Sequence, residues 1–143
     1  NELTDFSFRT NRDGKMIANA LAPGKRPRSS MSPTIVLKDG KPVLVIGSPG
    51  GSRIIGFTLQ TIIAHLDWGQ NIQAAIDMPR RVNRWGKFEL EDRGETQNLQ
   101  SALENMGFKV EVKPINSGLH GIAIGDTLTG GADPRREGIA LGE

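Results

Sequence analysis

The sequence contains no cysteine, which excludes disulfide bonds, thiol nucleophiles and zinc sites built from cysteine thiolates. Its two histidines, His65 and His120, stand far apart, and no group of histidines and acidic residues has the spacing of a metal site. We therefore expect neither a metal nor a cofactor. No apolar run approaches the length of a membrane-spanning helix, so we expect no membrane span in this chain.

The sequence also lacks the charge pattern of a nucleic-acid-binding protein. Its 18 basic and 16 acidic residues give a net charge of only +2, the basic residues are scattered, and aromatic residues make up 5%. Nucleic-acid-binding domains concentrate basic residues on one face, so we expect no nucleic-acid partner. At 143 residues and 36% hydrophobic content, the chain is long enough to bury a core, and we predict a single domain over residues 1–143.

The central stretch predicts a β-hairpin followed by a helix. Two apolar runs, residues 34–37 and 43–46, are joined by an Asp-Gly turn, which is a strong hairpin signal. The turn after the second strand carries Gly50 and Gly51. From Ser52 the apolar residues recur at helical spacing and predict a helix with one apolar stripe, formed by Ile55, Leu59, Ile62, Ile63 and Leu66.

The glycine turn has two interpretations that the residues alone leave open. Backbone N–H groups at the start of a helix attract anions, so Gly50 and Gly51 are candidates for an anion or oxyanion site. However, the turn lacks both the dinucleotide-binding fingerprint and the lysine of a phosphate-binding loop, and glycines also serve tight chain reversal alone.

Two further pairs of polar residues share this ambiguity. Ser29 and Ser30 precede the hairpin, where hydroxyls either satisfy local backbone groups or bind a ligand. Glu2 and Asp5, three residues apart, are either a solvated chain end or an acidic pair on one side of a helical turn. Acidic side chains can bind an ammonium group, and hydroxyls can bind a carboxylate. An α-amino acid carries both an ammonium group and a carboxylate.

The rest of the chain alternates helices and strands, which predicts the α/β (α+β) class. A short helix begins at Asn71, and strands at 80–85 and 88–91 carry arginines that we interpret as a solvated edge or as an interface with missing chain. Thr96 is the predicted N-cap of a third helix. One or two strands near the end are broken at Gly125-Asp126 and at Gly130-Gly131. His120 is interpreted as structural because no base–nucleophile partner can be named for it.

Several motifs together resemble the small catalytic subunit of γ-glutamyltranspeptidases, also called glutathione hydrolases. In order, they are N-E-L-T-D-F-S, G-K-R-P-R-S-S-M-S-P-T-I-V, G-S-P-G-G-S-R-I and the A-D-P-R turn at residues 132–135. The resemblance implies an N-terminal nucleophile hydrolase. Such a protein is a four-layer αββα sandwich that a large and a small subunit build together after autocleavage of a zymogen.

The same resemblance implies roles by position. Glu2 and Asp5 would bind the α-amino group of a γ-glutamyl substrate, and Ser29 and Ser30 its α-carboxylate. Gly50 and Gly51 would supply the oxyanion-hole N–H groups. The nucleophilic threonine would lie upstream of this chain. The chain would then be the C-terminal portion of the small subunit, without the nucleophile-bearing segment, and inactive by itself.

The resemblance therefore implies an enzyme that cleaves γ-glutamyl amide bonds in glutathione and related compounds. It would form an acyl-enzyme and pass the γ-glutamyl group to water, an amino acid or a peptide. The implied partners are the substrate, the large subunit and the rest of the small subunit. The implied location is periplasmic or extracellular, with the cytoplasm left open. Two alternatives are a related amidase, such as a cephalosporin acylase, and a non-catalytic amino-acid-binding module.

Overall fold

The computed structural model describes residues 6–142, with the backbone alone at Gln97, as a mixture of helices and strands. This mixture confirms the predicted α+β class. The elements in this part of the chain are β1 Thr34–Lys38, β2 Lys41–Gly47, α1 Ile54–Leu66, α2 Ile72–Asp77, β3 Arg81–Asn83, β4 Phe88–Glu91, α3 Thr96–Asn105, β5 Val110–Lys113, β6 His120–Ile124 and β7 Leu128–Ala132.

The predicted hairpin is confirmed. Strands β1 and β2 pair antiparallel, with Ile35 opposite Val45, and a bulge interrupts the register between Val36 and Leu37. The turn residues Asp39 and Gly40 both have positive φ, 51° and 75°. An Asp-Gly pair tolerates this conformation, which matches the right-handed twist of the two strands.

A four-stranded antiparallel sheet has the order β1-β2-β6-β7, and within residues 6–142 helices pack on one of its faces. Because side chains alternate along a strand, Leu44 and Ile46 point to one face, where they are buried against α1 and α2. The paired residues Ile35, Val45 and Ile122 form a row on the opposite face and are exposed. The sheet therefore presents an open apolar face.

A second, three-stranded sheet has the order β3-β4-β5. Strands β3 and β4 are antiparallel, whereas β4 and β5 are parallel and are connected through α3. Helix α3 lies against β4 and β5, and α1 lies against β3. Val82 from this sheet shares one core cluster with Leu44, Phe57 and Ile76, so a common core joins the two sheets. The prediction of a single domain over residues 1–143 stays a prediction.

The helix predicted after the glycine turn is confirmed as α1, but its predicted apolar stripe is not the face that the helix buries. Ile55 and Leu59 are 57% and 55% exposed, and the residues that α1 buries are Ile54, Phe57, Thr58, Thr61 and Ala64. The helix is apolar around most of its circumference, so periodicity alone did not indicate which face turns inward. Phe57 decides the orientation because its ring fills the space between the two sheets.

Helix α2 forms as predicted. The Asn71 side chain accepts a hydrogen bond from the Ala74 N–H at 2.8 Å, which caps the first turn. Ile72, Ala75 and Ile76 are buried on one face. The helix therefore fixes the position of the Pro79 segment that leads into β3.

Two predicted element boundaries were wrong. Thr96 is not the N-cap of α3 but its first residue, and its hydroxyl instead donates to the carbonyl oxygens of Glu91 and Arg93. Gly130 and Gly131 do not interrupt a strand but lie inside β7. A Cβ at Gly131 would stand 2.8 Å from a methyl carbon of Ile76, so glycine permits β7 to approach α2.

Candidate functional site

The turn at Gly50 and Gly51 opens directly onto α1. Gly50 has φ 136° and Gly51 has φ 61°, conformations that glycine adopts readily. Residues 51–53 form a single 3₁₀ turn that continues into α1. Within residues 6–142, the Gly50 and Gly51 N–H groups donate to no acceptor. The start of the helix thus presents two adjacent free donors.

The surroundings of the two glycines differ. A Cβ at Gly50 would lie 3.0 Å from the Phe57 ring, so the core lies directly behind this residue. No atom lies within 4 Å of the corresponding position at Gly51, which faces open space. A ligand atom therefore has access to the turn from the Gly51 side.

The predicted serine pair lies on an irregular segment before β1. Ser29 is exposed, and its hydroxyl accepts a hydrogen bond from the Met31 N–H at 3.2 Å. The Ser30 carbonyl accepts a bond from the Ser32 hydroxyl, also at 3.2 Å. Both contacts are local, which leaves the Ser30 hydroxyl available to a ligand. The other two predicted substrate-binding residues, Glu2 and Asp5, lie outside the described residues.

A cleft of about 880 Å³ begins beside Ser30 and runs along the exposed side of α1. Its floor is apolar, its rim carries several arginines, and both Ser30 and Ser52 line it. Gly50, Gly51 and Ser29 are not among its lining residues. The structure thus places Ser30 and the residue after Gly51 on the same cleft, with the two glycines beside it.

A buried charged network lies behind the glycine turn, and no residue of it was predicted. The Asp133 Oδ2 accepts hydrogen bonds from the Ser117 hydroxyl at 2.5 Å, the Leu119 N–H at 3.0 Å and the Arg80 guanidinium at 3.3 Å. Arg80 is 0% exposed and also donates to the Ile76 carbonyl. The interpretation of Arg80 as part of a solvated edge was therefore wrong.

A second arginine completes the network. Arg135 donates to both oxygens of Glu91, at 2.6 and 2.7 Å, and to Oδ1 of Asp133 at 3.0 Å. Glu91 in turn accepts from the Arg80 backbone N–H at 2.8 Å. Two buried arginines and two buried carboxylates therefore compensate each other's charge, as buried ions require.

The network shifts the pKa values of its members. Burial opposes ionisation of Asp133, but hydrogen bonds from Ser117 and from the Leu119 N–H outweigh it and lower the pKa to about 2. Burial, reinforced by the nearby charge of Arg135, lowers the pKa of Arg80 to about 10. Both groups stay charged at neutral pH, so the network is a permanent ionic connection.

This network supports the glycine turn from its upstream side. Ser117 is followed by Gly118, whose N–H donates to the Ser48 hydroxyl at 3.3 Å. A Cβ at Gly118 would stand only 2.7 Å from the Pro49 ring, so these two segments are in close contact. The Arg80 guanidinium also lies 5.9 Å from the centre of the Phe57 ring, the ring that backs Gly50.

The sequence carries one signal for the burial of Arg80. In a strand, residues two apart share a face, and Arg80 is two residues before Val82, which lies in the core. This spacing predicts that the Arg80 side chain points into the core, where its charge requires a buried acidic partner. That partner is Asp133, and no local pattern in the sequence links it to Arg80.

Three further features of the described part of the chain concern metal binding, His120 and membrane-spanning helices. Among residues 6–142, no group of three or more histidine or acidic side chains is arranged to hold a metal ion. Nδ1 of His120 lies 3.1 Å from the Gly118 carbonyl oxygen. None of the described helices has the length and apolar character needed to cross a membrane.

The described residues form an α+β fold in which a glycine turn with free N–H groups opens a helix. A sequence model of the γ-glutamyltranspeptidase family matches residues 1–143. The chain therefore belongs to the γ-glutamyltranspeptidase family.

Individual relatives agree with this assignment. The glutathione hydrolase proenzyme of Bacillus subtilis (strain 168) is 42% identical over 147 residues, 99% of this chain and 24% of the proenzyme. The acylase ACY 1 proenzyme of Pseudomonas sp. (strain SE83) is 36% identical over 127 residues, 87% of this chain and 23% of that protein. The chain thus spans about a quarter of the length of these proenzymes.

A solved structure of the Helicobacter pylori γ-glutamyltranspeptidase T380A mutant superposes with a TM-score of 0.80 at 38% identity. The match covers 92% of this chain and 77% of that chain. The agreement in fold extends over nearly all of the described residues.

Proposed function

We propose that the protein to which this chain belongs is a γ-glutamyl hydrolase and transferase. The observation that carries the proposal is the pair of free N–H groups at Gly50 and Gly51, placed where α1 begins. Such donors stabilise negative charge that develops on a carbonyl oxygen during acyl transfer. Family membership supplies the substrate class, because the relatives are glutathione hydrolases and γ-glutamyltranspeptidases.

The proposed reaction proceeds in two acyl-transfer steps. A threonine hydroxyl from a segment outside this chain attacks the γ-carbonyl carbon, and the resulting oxyanion accepts bonds from the Gly50 and Gly51 N–H groups. The C–N bond then breaks, and the amine leaves with a proton. Water or an acceptor amine attacks the acyl-enzyme through a second oxyanion at the same place, which releases the threonine.

We assign binding of the amino-acid end of the substrate to two polar pairs. The hydroxyls of Ser29 and Ser30 donate to the α-carboxylate, for which the exposure of Ser29 and the cleft beside Ser30 leave room. Glu2 and Asp5 bind the α-ammonium group. The assignment of the acids rests on family membership and on the match of charge.

The partners in this proposal are the large subunit and the remainder of the small subunit. The open face of the β1-β2-β6-β7 sheet supports it, because Ile35, Val45 and Ile122 form an exposed apolar row. Exposed apolar surface of this kind is typical of an interaction site. We propose that other parts of the same proenzyme cover this face and complete the αββα sandwich.

We also propose a periplasmic or extracellular location, with the cytoplasm as the alternative. Family membership alone supports it. Immunodetection of the complete protein in separated cell fractions tests this point independently of activity.

A second candidate function is that of an amidase for another acyl group. The 36% identity with the acylase ACY 1 proenzyme supports this second candidate. The two candidates differ at the α-amino group, because an acylase for a plain dicarboxylic acyl group needs no acid to bind an ammonium.

The experiment that tests the proposal compares two anilides with the complete, mature protein. γ-Glutamyl anilide and glutaryl anilide differ only in the α-amino group. We expect release of the aniline from the γ-glutamyl compound with a clear preference in kcat/KM. A preference for the glutaryl compound would favour the acylase, and release from neither would overturn both. The 143-residue chain alone, as a control, is expected to release none, because the proposed nucleophilic threonine belongs to another segment.

A further inference from the structure

The conformation of the glycine turn must be fixed by its neighbours. Gly50 and Gly51 have little torsional preference of their own, so the directions of their N–H groups depend on the segments on either side. Upstream, Pro49 is held by its contact with Gly118. Downstream, the turn continues into Ser52 and Arg53, whose side chains both reach the β3–β4 hairpin.

One carboxylate anchors this downstream side. Arg53 donates from Nε to Oε2 of Glu89 at 2.5 Å and from Nη2 to Oε1 at 2.8 Å, which is a bidentate pair. Oε1 of Glu89 also accepts from Nζ of Lys113 at 2.9 Å and from Nη2 of Arg84 at 3.3 Å. Arg84 additionally donates to the Ser52 hydroxyl at 2.5 Å. Both residues that follow Gly51 are therefore tied to Glu89.

The surroundings of Glu89 keep it charged. It is only 7% exposed, and its pKa is lowered to about 2, first by the hydrogen bond from Arg53 and also by that from Lys113. Without this carboxylate, three cations would be left together beside the positive end of α1. Their mutual repulsion would weaken the contacts that hold Ser52 and Arg53 in place.

We propose that Glu89 is a positioning residue that, through Arg53 and through Arg84 to Ser52, holds the Gly50 and Gly51 N–H groups in the direction of the oxyanion. The inference rests on the proposed acyl-transfer function. Glu89 acts through the backbone of the turn rather than by touching the substrate. Its effect therefore belongs to the transition state, whereas a carboxylate that only stabilised the fold would leave the kcat of folded enzyme unchanged.

The neighbouring strand provides a matched control. Glu111 stands directly opposite Glu89 in the β4–β5 pair. It lies 3.5 Å from Nζ of Lys113 and 3.6 Å from Nζ of Lys87, and no hydrogen bond joins its side chain to that of Arg53. Glu111→Gln thus removes the same charge from the same sheet without releasing the turn.

The test measures kcat, KM and thermal stability in the complete, mature protein with γ-glutamyl anilide. Glu89→Gln and Arg53→Gln are each expected to lower kcat by roughly 10- to 100-fold, the cost of a small misplacement of catalytic groups. KM should stay within about twofold, because these donors act mainly in the transition state. The double variant should be no slower than the slower single variant, because both changes break one connection. Glu111→Gln should behave like the wild type.

A folded Glu89→Gln variant with the kcat of Glu111→Gln would overturn the inference. A loss that appears only in KM or only in melting temperature would do the same, since it would assign Glu89 to substrate binding or to the fold. If Glu89→Gln does not yield mature protein, the Arg53→Gln variant provides the test. A folded Arg53→Gln enzyme with normal kcat also overturns the inference.

Gly51→Ala in the same assay separates this inference from the proposed function. If Gly51→Ala retains normal kcat, the oxyanion role itself fails. If Gly51→Ala is slow while Glu89→Gln is normal, the oxyanion role stands and the positioning role of Glu89 fails.

Discussion

The serine pair and the glycine turn are held in place in different ways. The hydrogen bonds described for Ser29 and Ser30 reach only two residues along the chain. The glycine turn is held by Gly118 on one side and by Glu89 on the other, both distant in sequence. A locally held segment can adjust to a substrate carboxylate, whereas a turn fixed from both sides has its donors aligned before the reaction begins.

This difference suggests a division of labour within the site. Adjustable hydroxyls contribute to ground-state binding and so affect KM. Prealigned N–H groups act on charge that exists only in the transition state, so they affect kcat. The predictions below test this contrast, from the largest expected effect to the smallest.

Removal of the central buried carboxylate should break the upstream support. Asp133→Ala would leave Arg80 buried without its carboxylate partner and Arg135 paired with Glu91 alone, at a cost of about 3–5 kcal/mol in the free energy of unfolding. Chemical denaturation of the complete protein measures the loss, and the exposed Asp126→Ala serves as control. A loss below about 1 kcal/mol would contradict the role assigned to the network.

A side chain at the accessible glycine should affect catalysis more than binding. Gly51 has φ 61°, so alanine tilts the N–H or narrows the approach to it. Loss of one oxyanion donor costs roughly 10²–10³ in kcat. We expect this fall with modest changes in KM and in melting temperature. A loss of activity explained entirely by unfolding would show that Gly51 serves only the tight turn of the chain.

Acid should weaken the contacts that hold the turn. The folded-state pKa of Glu89 is about 2 against an ordinary 4.5, so its stabilisation is complete above about pH 4.5 and is lost as the pH falls toward 2. A shift of this size corresponds to about 3 kcal/mol. Urea denaturation at several pH values should show a steeper acid loss in the wild type than in Glu89→Gln. Parallel curves would contradict the assignment.

The smallest effect is expected at the serines. Ser30→Ala removes one hydroxyl donor to the α-carboxylate, which is worth about 1–1.5 kcal/mol, or roughly a five- to tenfold rise in KM. The kcat should stay close to that of the wild type. Ser32→Ala, which removes a neighbouring hydroxyl that bonds to the Ser30 carbonyl, is a suitable control. A large fall in kcat for Ser30→Ala would contradict this assignment, because it would show that Ser30 acts in the transition state as the glycines do.

The features that sequence predicted correctly depend on short stretches of chain. The Asp39-Gly40 pair predicted the hairpin because its turn type requires positive φ at both residues. Asn71 and Pro79 predicted the limits of α2 through capping and the lost backbone donor. In the same way, the spacing of apolar residues changes from that of a strand to that of a helix at the glycine pair. This change predicted that the N–H groups of Gly50 and Gly51 lie at the start of α1.

What sequence did not predict depends on partners distant along the chain. Arg80 is inside only because Asp133 lies across the core, 53 residues later. The inward face of α1 was decided by the volume that Phe57 fills between two sheets. The connection between Arg53 and Glu89 spans 36 residues and follows from the pairing of β3 with β4. Single-sequence periodicity carries no information on such pairs.

The most direct test of the central claim is the affinity of a phosphonate transition-state analogue of the γ-glutamyl group. The analogue carries both the α-carboxylate and the negative oxygens that mimic the oxyanion. We expect Gly51→Ala to weaken its binding by the same factor as it lowers kcat/KM, about 10²–10³, with the substrate KM little changed. Ser30→Ala should weaken analogue and substrate equally. An analogue affinity in Gly51→Ala equal to that of the wild type would contradict the claim that the glycine turn stabilises the oxyanion.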